Sequence, residues 1–423
     1  MKHFTVLTAI VGLFAVEGCE DKPITYNDLD TPFHSDSLTI QTITGHTYST
    51  PPSMGGYHKL YLGNYEDANT GEVYQNPFAL FTINQYSGSV TMESLLDTNI
   101  SIDSIKFKIT SADSEQVTGF PYSLYYFPNS DDSLFNEYET NYLDDYETLI
   151  LNPKQNVSNA SILEISDTIY DEADTTNTTY TVSNVFLINF NIPIDIFETF
   201  ADTVSTSSKN RAFMVMPPEE LLGLSEFYSK ESSNDPRFTV YYKESDNDTT
   251  ISKSNSFAIN RDLSLMIPPL IIEADSTTWT VGRAKGLQAV IQVNLDTLEL
   301  MDFPSQAIIK EAKLVLFDVD DQAIDFDVLL YTLADSIVTY ELERDEDPYL
   351  HFGSSAYTLN PNVVNGKLTL DLKTILQDII MGRIENYGFK IVSGATNPFD
   401  VMHFGPPNGS LTDPYLEVRY VSE

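Results

Sequence analysis

The chain is 423 residues long and carries 62 acidic against 23 basic residues, a formal charge of −39. That balance argues against nucleic acid and anionic lipid surfaces as partners of the chain as a whole. Hydrophobic residues make up 42% of the sequence, which is enough for packed cores and excludes global disorder, and the length predicts two domains.

Met1-Lys2-His3 is a short basic start, followed by an apolar run over residues 4–16 and then Glu17-Gly18-Cys19. A basic start, an apolar run and a small residue before a cleavage point are the parts of a secretory signal. The run is too short to span a bilayer, which takes roughly 20 apolar residues. A cysteine directly after the small residue resembles the lipobox of bacterial lipoproteins, whose cysteine is diacylated on sulfur and becomes the first mature residue. The resemblance implies a signal over residues 1–18, lipidation at Cys19 and a membrane reached through that lipid. Cys19 is the only cysteine, so no internal disulfide can form. Acylation would also remove an otherwise free extracellular thiol. Glu20-Asp21-Lys22-Pro23 resembles the export tag of surface lipoproteins in Bacteroidetes-type bacteria, which implies the outer membrane and the cell surface. Residues 19–35 are polar and proline-containing and read as a tether.

Beyond residue 35, period-2 patterns dominate. Ile105-Lys106-Phe107-Lys108-Ile109 and Leu368-Thr369-Leu370-Asp371-Leu372 alternate apolar with polar, and Val185 to Phe190, Leu314 to Phe317 and Val328 to Tyr331 read as buried strands. Residues 194–201 and 374–381 are the two short helices expected. Many short strands separated by turn residues predict an all-β sandwich or barrel.

Laid side by side, the two halves repeat. Leu60-Tyr61-Leu62-Gly63 answers Trp279-Thr280-Val281-Gly282, and residues 78–83 answer 289–293. Ile102 to Lys108 answers Ile309 to Val315, and residues 122–126 answer 326–331. Arg211-Ala212-Phe213 answers Tyr387-Gly388-Phe389. Asp235-Pro236 and Asp413-Pro414 each open a final strand. Six blocks in one order predict one β-domain present twice, over residues 36–245 and 246–423. The first copy carries an insertion near 129–181, read as long loops with one extra hairpin.

The "I-x-x-A-K-L-x-L" strand at Ile309 to Leu316 and the closing "P-x-L-x-V-x-Y" strand at Pro414 to Tyr420 resemble the DNRLRE-type module. Their counterparts in the first copy run over residues 102–109 and 227–241. The resemblance implies two tandem jelly-roll-like β-sandwich domains and carbohydrate binding.

No catalytic constellation stands out. The histidines are scattered without metal-ligand spacing, and no nucleophile elbow or Walker loop is present. The chain is therefore read as a non-enzyme. Three binding patterns remain. Trp279, the only tryptophan, is followed by Arg283 and Lys285, with Tyr57, His58, Lys59 and Tyr61 as the matching stretch of the first copy. Such residues either stack on and orient a sugar, an anionic one included, or form a tryptophan-capped core with solvated cations. Asp318, Asp320, Asp321, Asp325 and Asp327 flank an expected hairpin and read either as Ca²⁺ ligands or as an acidic turn. Asp followed by Ser or Thr and an apolar residue, as at Asp36-Ser37-Leu38 and Asp335-Ser336-Ile337, is similar to a Bacteroidetes O-glycosylation acceptor and is also a tripeptide that this composition produces by chance. The resulting expectation is a lipid-anchored surface protein that binds polysaccharide, or alternatively a structural or adhesive protein that contacts other envelope proteins.

Overall fold

The structure is a computed structural model. It describes residues 34–52, 54–68, 70–112, 122–128, 135, 155–159, 161–169, 181–201, 211–218, 223–246, 249–269, 278–295, 303–304, 306–320, 326–337, 347–406 and 412–422. The signal, Cys19 and most of the tether lie outside these residues.

The strands in chain order are β1 (His34–Ile40), β2 (Ile43–Ser49), β3 (Lys59–Glu66), β4 (Val73–Asn76), β5 (Ala79–Ile83), β6 (Tyr86–Ser87), β7 (Val90–Thr91), β8 (Ile100–Thr110), β9 (Ser123–Tyr126), β10 (Gln155–Asn159), β11 (Ser161–Ile169), β12 (Thr181–Asn191), β13 (Ala212–Met216), β14 (Leu224–Tyr228), β15 (Arg237–Asp246) and β16 (Thr249–Ser264). They continue with β17 (Trp279–Gly282), β18 (Leu287–Val293), β19 (Ile308–Phe317), β20 (Phe326–Thr332), β21 (Thr358–Leu359), β22 (Asn362–Val364), β23 (Lys367–Asp371), β24 (Phe389–Ser393), β25 (Val401–Phe404) and β26 (Tyr415–Ser422). Helix α1 (Ile194–Ala201) follows β12, and α2 (Lys373–Ile380) follows β23. The protein is all-β, as its alternation predicts. Ile105, Phe107 and Ile109 of β8 are buried while Lys106 and Lys108 point outward, because successive side chains leave a strand on opposite faces. Each helix buries one apolar stripe: Phe197 and Phe200 enter the first core, Ile375 and Leu376 the second.

Two sandwiches result. In the first, β16-β15-β8-β12-β11 form one sheet and β16-β5-β13-β9-β10 the other, with β16 long enough to belong to both. It changes sheets between Ala258 and Ile259, just before an irregularity between Ile259 and Arg261. In the second, β1-β26-β19-β23-β22 face a sheet in which β18 lies between β2 and β24, and β20 follows β24. The registers superimpose. Phe238 opposes Phe107 as Leu416 opposes Leu314, and Phe213 opposes Phe81 as Phe389 opposes Ile291. The insertion departs from the single hairpin expected. β10 pairs with β9 and β11 with β12, so each sheet of the first sandwich gains one edge strand.

The pairing also moves the expected boundaries. β1 and β2 (residues 34–49), assigned from the sequence to the tether and first domain, pair with β26 and β18 of the second sandwich. β16, assigned to the second domain, closes the first. Opposite Phe238 stands Phe257, and opposite Leu416 stands Ile40. Opposite Phe81 stands Asp262, and opposite Ile291 stands Gly45. Residues 34–49 and 251–266 are thus equivalent segments, each the opening of its own repeat and each built into the other repeat's sandwich. The two modules are interlocked by a reciprocal exchange of their first strands.

Candidate functional site

Four of the basic-aromatic candidates, Tyr57 and Tyr61 of the first half and Arg283 and Lys285 of the second, meet at one place, the joint between the sandwiches. The turn from β17 to β18 carries Arg283 to Gly286, and it presses against the segment that leaves β2. Thr50 N–H donates to Gly286 O at 3.0 Å. Gly286 is required there: its φ is +67°, and a Cβ would lie 1.9 Å from the Thr50 carbonyl oxygen. This close approach aims Arg283 and Lys285 at the first sandwich.

Arg283 lies over the Tyr57 ring, with its guanidinium carbon 4.3 Å from the centroid. The Tyr57 hydroxyl donates to the Ala395 carbonyl at 2.5 Å. Burial raises the Tyr57 pKa and the Arg283 charge opposes that rise. Lys285 Nζ is 2.5 Å from Glu72 Oε2 and is largely covered. Between these contacts sits an apolar plug. Phe399 of the second sandwich stacks on Tyr65 at 4.0 Å and meets Tyr61 and Tyr74 edge-on at 5.5 and 5.3 Å. Phe399 and Ala284 share one core cluster with Tyr61, Tyr74, Phe78 and Leu80 of the first sandwich. Burial also pushes the Tyr61 hydroxyl pKa upward.

These positions correct the stacking reading. Trp279 is 2% exposed and belongs to the second core, where it opposes Phe404. Tyr61 is equally buried. Neither presents a ring face to a sugar. Lys59 is bound to Glu226, with Nζ 2.5 Å from Oε2, and His58 Nδ1 donates to the Glu231 carbonyl at 3.1 Å, both on the rim of the first sandwich. The structure therefore joins Arg283 to Tyr57 and Lys285 to Glu72, leaves His58 and Lys59 apart, and sinks Trp279 and Tyr61. The sequence does not mark Glu72 or Phe399, because nothing in their local pattern points to Lys285 or Tyr65, each more than 200 residues away along the chain.

Of the five aspartates, Asp321 and Asp325 lie outside the described residues. Asp318 Oδ1 accepts the Asp320 N–H at 3.1 Å, which is a local turn bond, and Asp320 Oδ2 is 3.8 Å from His403 Nε2. Asp327 sits on β20, where its carbonyl accepts Gly394 N–H. Among the described residues, no group of three or more His, Cys, Asp or Glu side chains is placed to hold a metal ion.

No family model, no curated protein and no solved structure matches the chain.

Proposed function

We propose that this protein is a non-catalytic, lipid-anchored component of the cell envelope that holds two interlocked sandwiches at the surface as one stiff unit, in a structural or adhesive role. The observation that carries this reading is the joint. The aromatic and cationic side chains that could have formed a sugar platform are spent on Arg283–Tyr57, Lys285–Glu72 and the Phe399 plug. The exchange of β1-β2 for β16 adds a second tie between the modules. The anchor rests on the sequence around Cys19 alone.

Two measurements test the proposal. Metabolic labelling with an alkynyl fatty acid should mark the wild-type chain and leave Cys19→Ser unmarked, with protease reaching the wild type on intact cells. An unlabelled or protected wild-type chain would end the anchored-surface reading. Phe399→Ala should loosen the modules without unfolding them, splitting one calorimetric transition into two. A single transition at an unchanged temperature would show that the joint does not couple them.

A further inference from the structure

We propose that the outer face of the β8–β15 pair in the first sandwich binds the sulfate groups of a sulfated polysaccharide. This inference rests on residues other than those of the joint and is independent of the anchor.

Lys106 and Lys108 both direct their ammonium groups to the ring of Tyr241, at 5.6 and 5.8 Å from its centroid, and Lys108 Nζ donates to the Tyr241 hydroxyl at 3.2 Å. Among the described residues, neither lysine has a carboxylate partner. The nearby acids on this face are already engaged: Asp103 by Lys243 at 2.9 Å and Asp235 by Arg237 at 2.6 Å. Two like charges brought to one ring repel each other. In a chain with a formal charge of −39, a carboxylate could have settled beside them at almost any neighbouring position.

The second sandwich shows that arrangement and serves as an internal control. By register, Lys106 corresponds to Lys313 and Tyr241 to Arg419. There Glu311 contacts both Lys313 and Arg419, and Glu417 binds Arg419 at 2.9 Å. Lys313 is flanked across the sheet by Glu417 and Asp371. In the first sandwich each of these acids is replaced by a neutral residue. Ser104 stands for Glu311, Thr239 for Glu417 and Asn191 for Asp371. By the same register Lys108 stands where the second copy has Val315, so the copy that lacks these acids is also the one that carries a second lysine.

The chemistry selects the ligand. An ammonium is a point charge that meets the oxygens of a sulfate ester from any direction, whereas the arginine fork is suited to bidentate pairing with carboxylates and phosphates. Arg237, on the same face, is held by Asp235. Around the lysines lie the hydroxyls of Ser104 and Ser256 and the amide of Asn191, groups that suit sugar hydroxyls, while the buried Thr239 hydroxyl is bonded to that of Ser256. The outward residues of the two strands lie side by side in register up to an irregularity between Tyr241 and Tyr242, a row that accepts an extended chain.

The experiment uses the full-length protein in detergent, with dextran sulfate as the probe and unsulfated dextran and polygalacturonate as comparators. Dextran sulfate should bind, weaken as salt rises, and outcompete both comparators. Lys106→Ala/Lys108→Ala should lower affinity by about tenfold or more, the loss expected for two charged hydrogen bonds. Ser104→Glu/Thr239→Glu should do the same while keeping both lysines, because it installs the acids of the second copy. Unchanged thermal unfolding of either pair keeps its result interpretable. Absence of dextran sulfate binding, equal binding of polygalacturonate, or wild-type affinity in both variants would overturn the proposal.

Discussion

Gly45 of β2 and Trp279 of β17 share one space in the second core: a Cβ on Gly45 would lie 3.1 Å from Trp279 Cε2 and 2.5 Å from the Val290 carbonyl oxygen. In the first sandwich the corresponding residues are Asp262 and Leu60. Asp262 is buried and accepts the Lys230 N–H at 2.7 Å. The two opening strands are therefore not interchangeable. In the second core, the segment carrying Asp262 would set a carboxylate against an indole. Gly45→Ala is expected to destabilise the protein by about 1–3 kcal/mol through overpacking. Combined with Trp279→Leu, its cost should shrink, giving a coupling of at least about 0.5 kcal/mol in a denaturant double-mutant cycle. Strict additivity would show that the two residues do not compete for space.

The exchange also fixes where the chain can be cut. A fragment of residues 52–268 contains β3 to β16 and so the complete first sandwich. A fragment of residues 36–245 carries β1 and β2 without their partners and lacks β16, which leaves β5 and β15 as open edges. The first fragment should unfold cooperatively in urea. The second should aggregate or melt without a transition, because an unpaired edge exposes a row of backbone donors and acceptors. Equal behaviour of the two would place the module boundary where the sequence repeat suggests.

Much of this architecture is legible in the sequence. The alternation of Ile105 to Ile109 predicts which side chains enter the core, and the Asp-Pro pairs at 235–236 and 413–414 mark equivalent strands. The helices at 194–201 and 374–381 fall within one residue of their observed bounds. The exchange is not legible. Residues 34–49 have the same local pattern whichever sandwich they join, and the space that Gly45 fits, between the Val290 carbonyl and Trp279, exists only in the folded core. The candidate site is only partly legible for a related reason. An aromatic followed by cations marks a contact but does not say whether the partner is a sugar or, as with Tyr57 and Glu72, another part of the chain. In the sequence Lys106 and Lys108 are only the polar half of an alternating strand. Their lack of acidic partners becomes visible when the sheet registers of the two copies are compared.

Lys390 of β24 is 5% exposed, and its ammonium is 2.8 Å from Asp347 Oδ2, over the Tyr331 ring and close to the Tyr349 carbonyl. Asp347 also accepts from the Tyr48 hydroxyl at 3.1 Å and so ties β2 to β24. Removing one partner of a covered pair strands the other charge. Asp347→Asn should therefore cost about 3–5 kcal/mol, while Lys390→Met, which removes the buried charge itself, should cost much less. The two midpoints in urea decide the matter. Equal losses would mean that the pair contributes as a bond and not as a mutual neutralisation.

Asp400, beside the joint, has its pKa raised above the ordinary 3.8 by burial, with the Asn397 amide at 2.7 Å working in the opposite direction. Between 3.8 and the raised value, the folded chain holds a proton that the unfolded chain has lost. Stability contributed by this group therefore falls as pH rises through that window and stays reduced above it. Asp400→Asn keeps an oxygen for the Asn397 amide and carries no charge at any pH. The variant should be the more stable form at neutral pH, and its advantage should shrink as pH falls through the raised pKa. Thermal unfolding of both proteins across the acid range tests this. An advantage that stays constant with pH would show that burial does not penalise the Asp400 carboxylate.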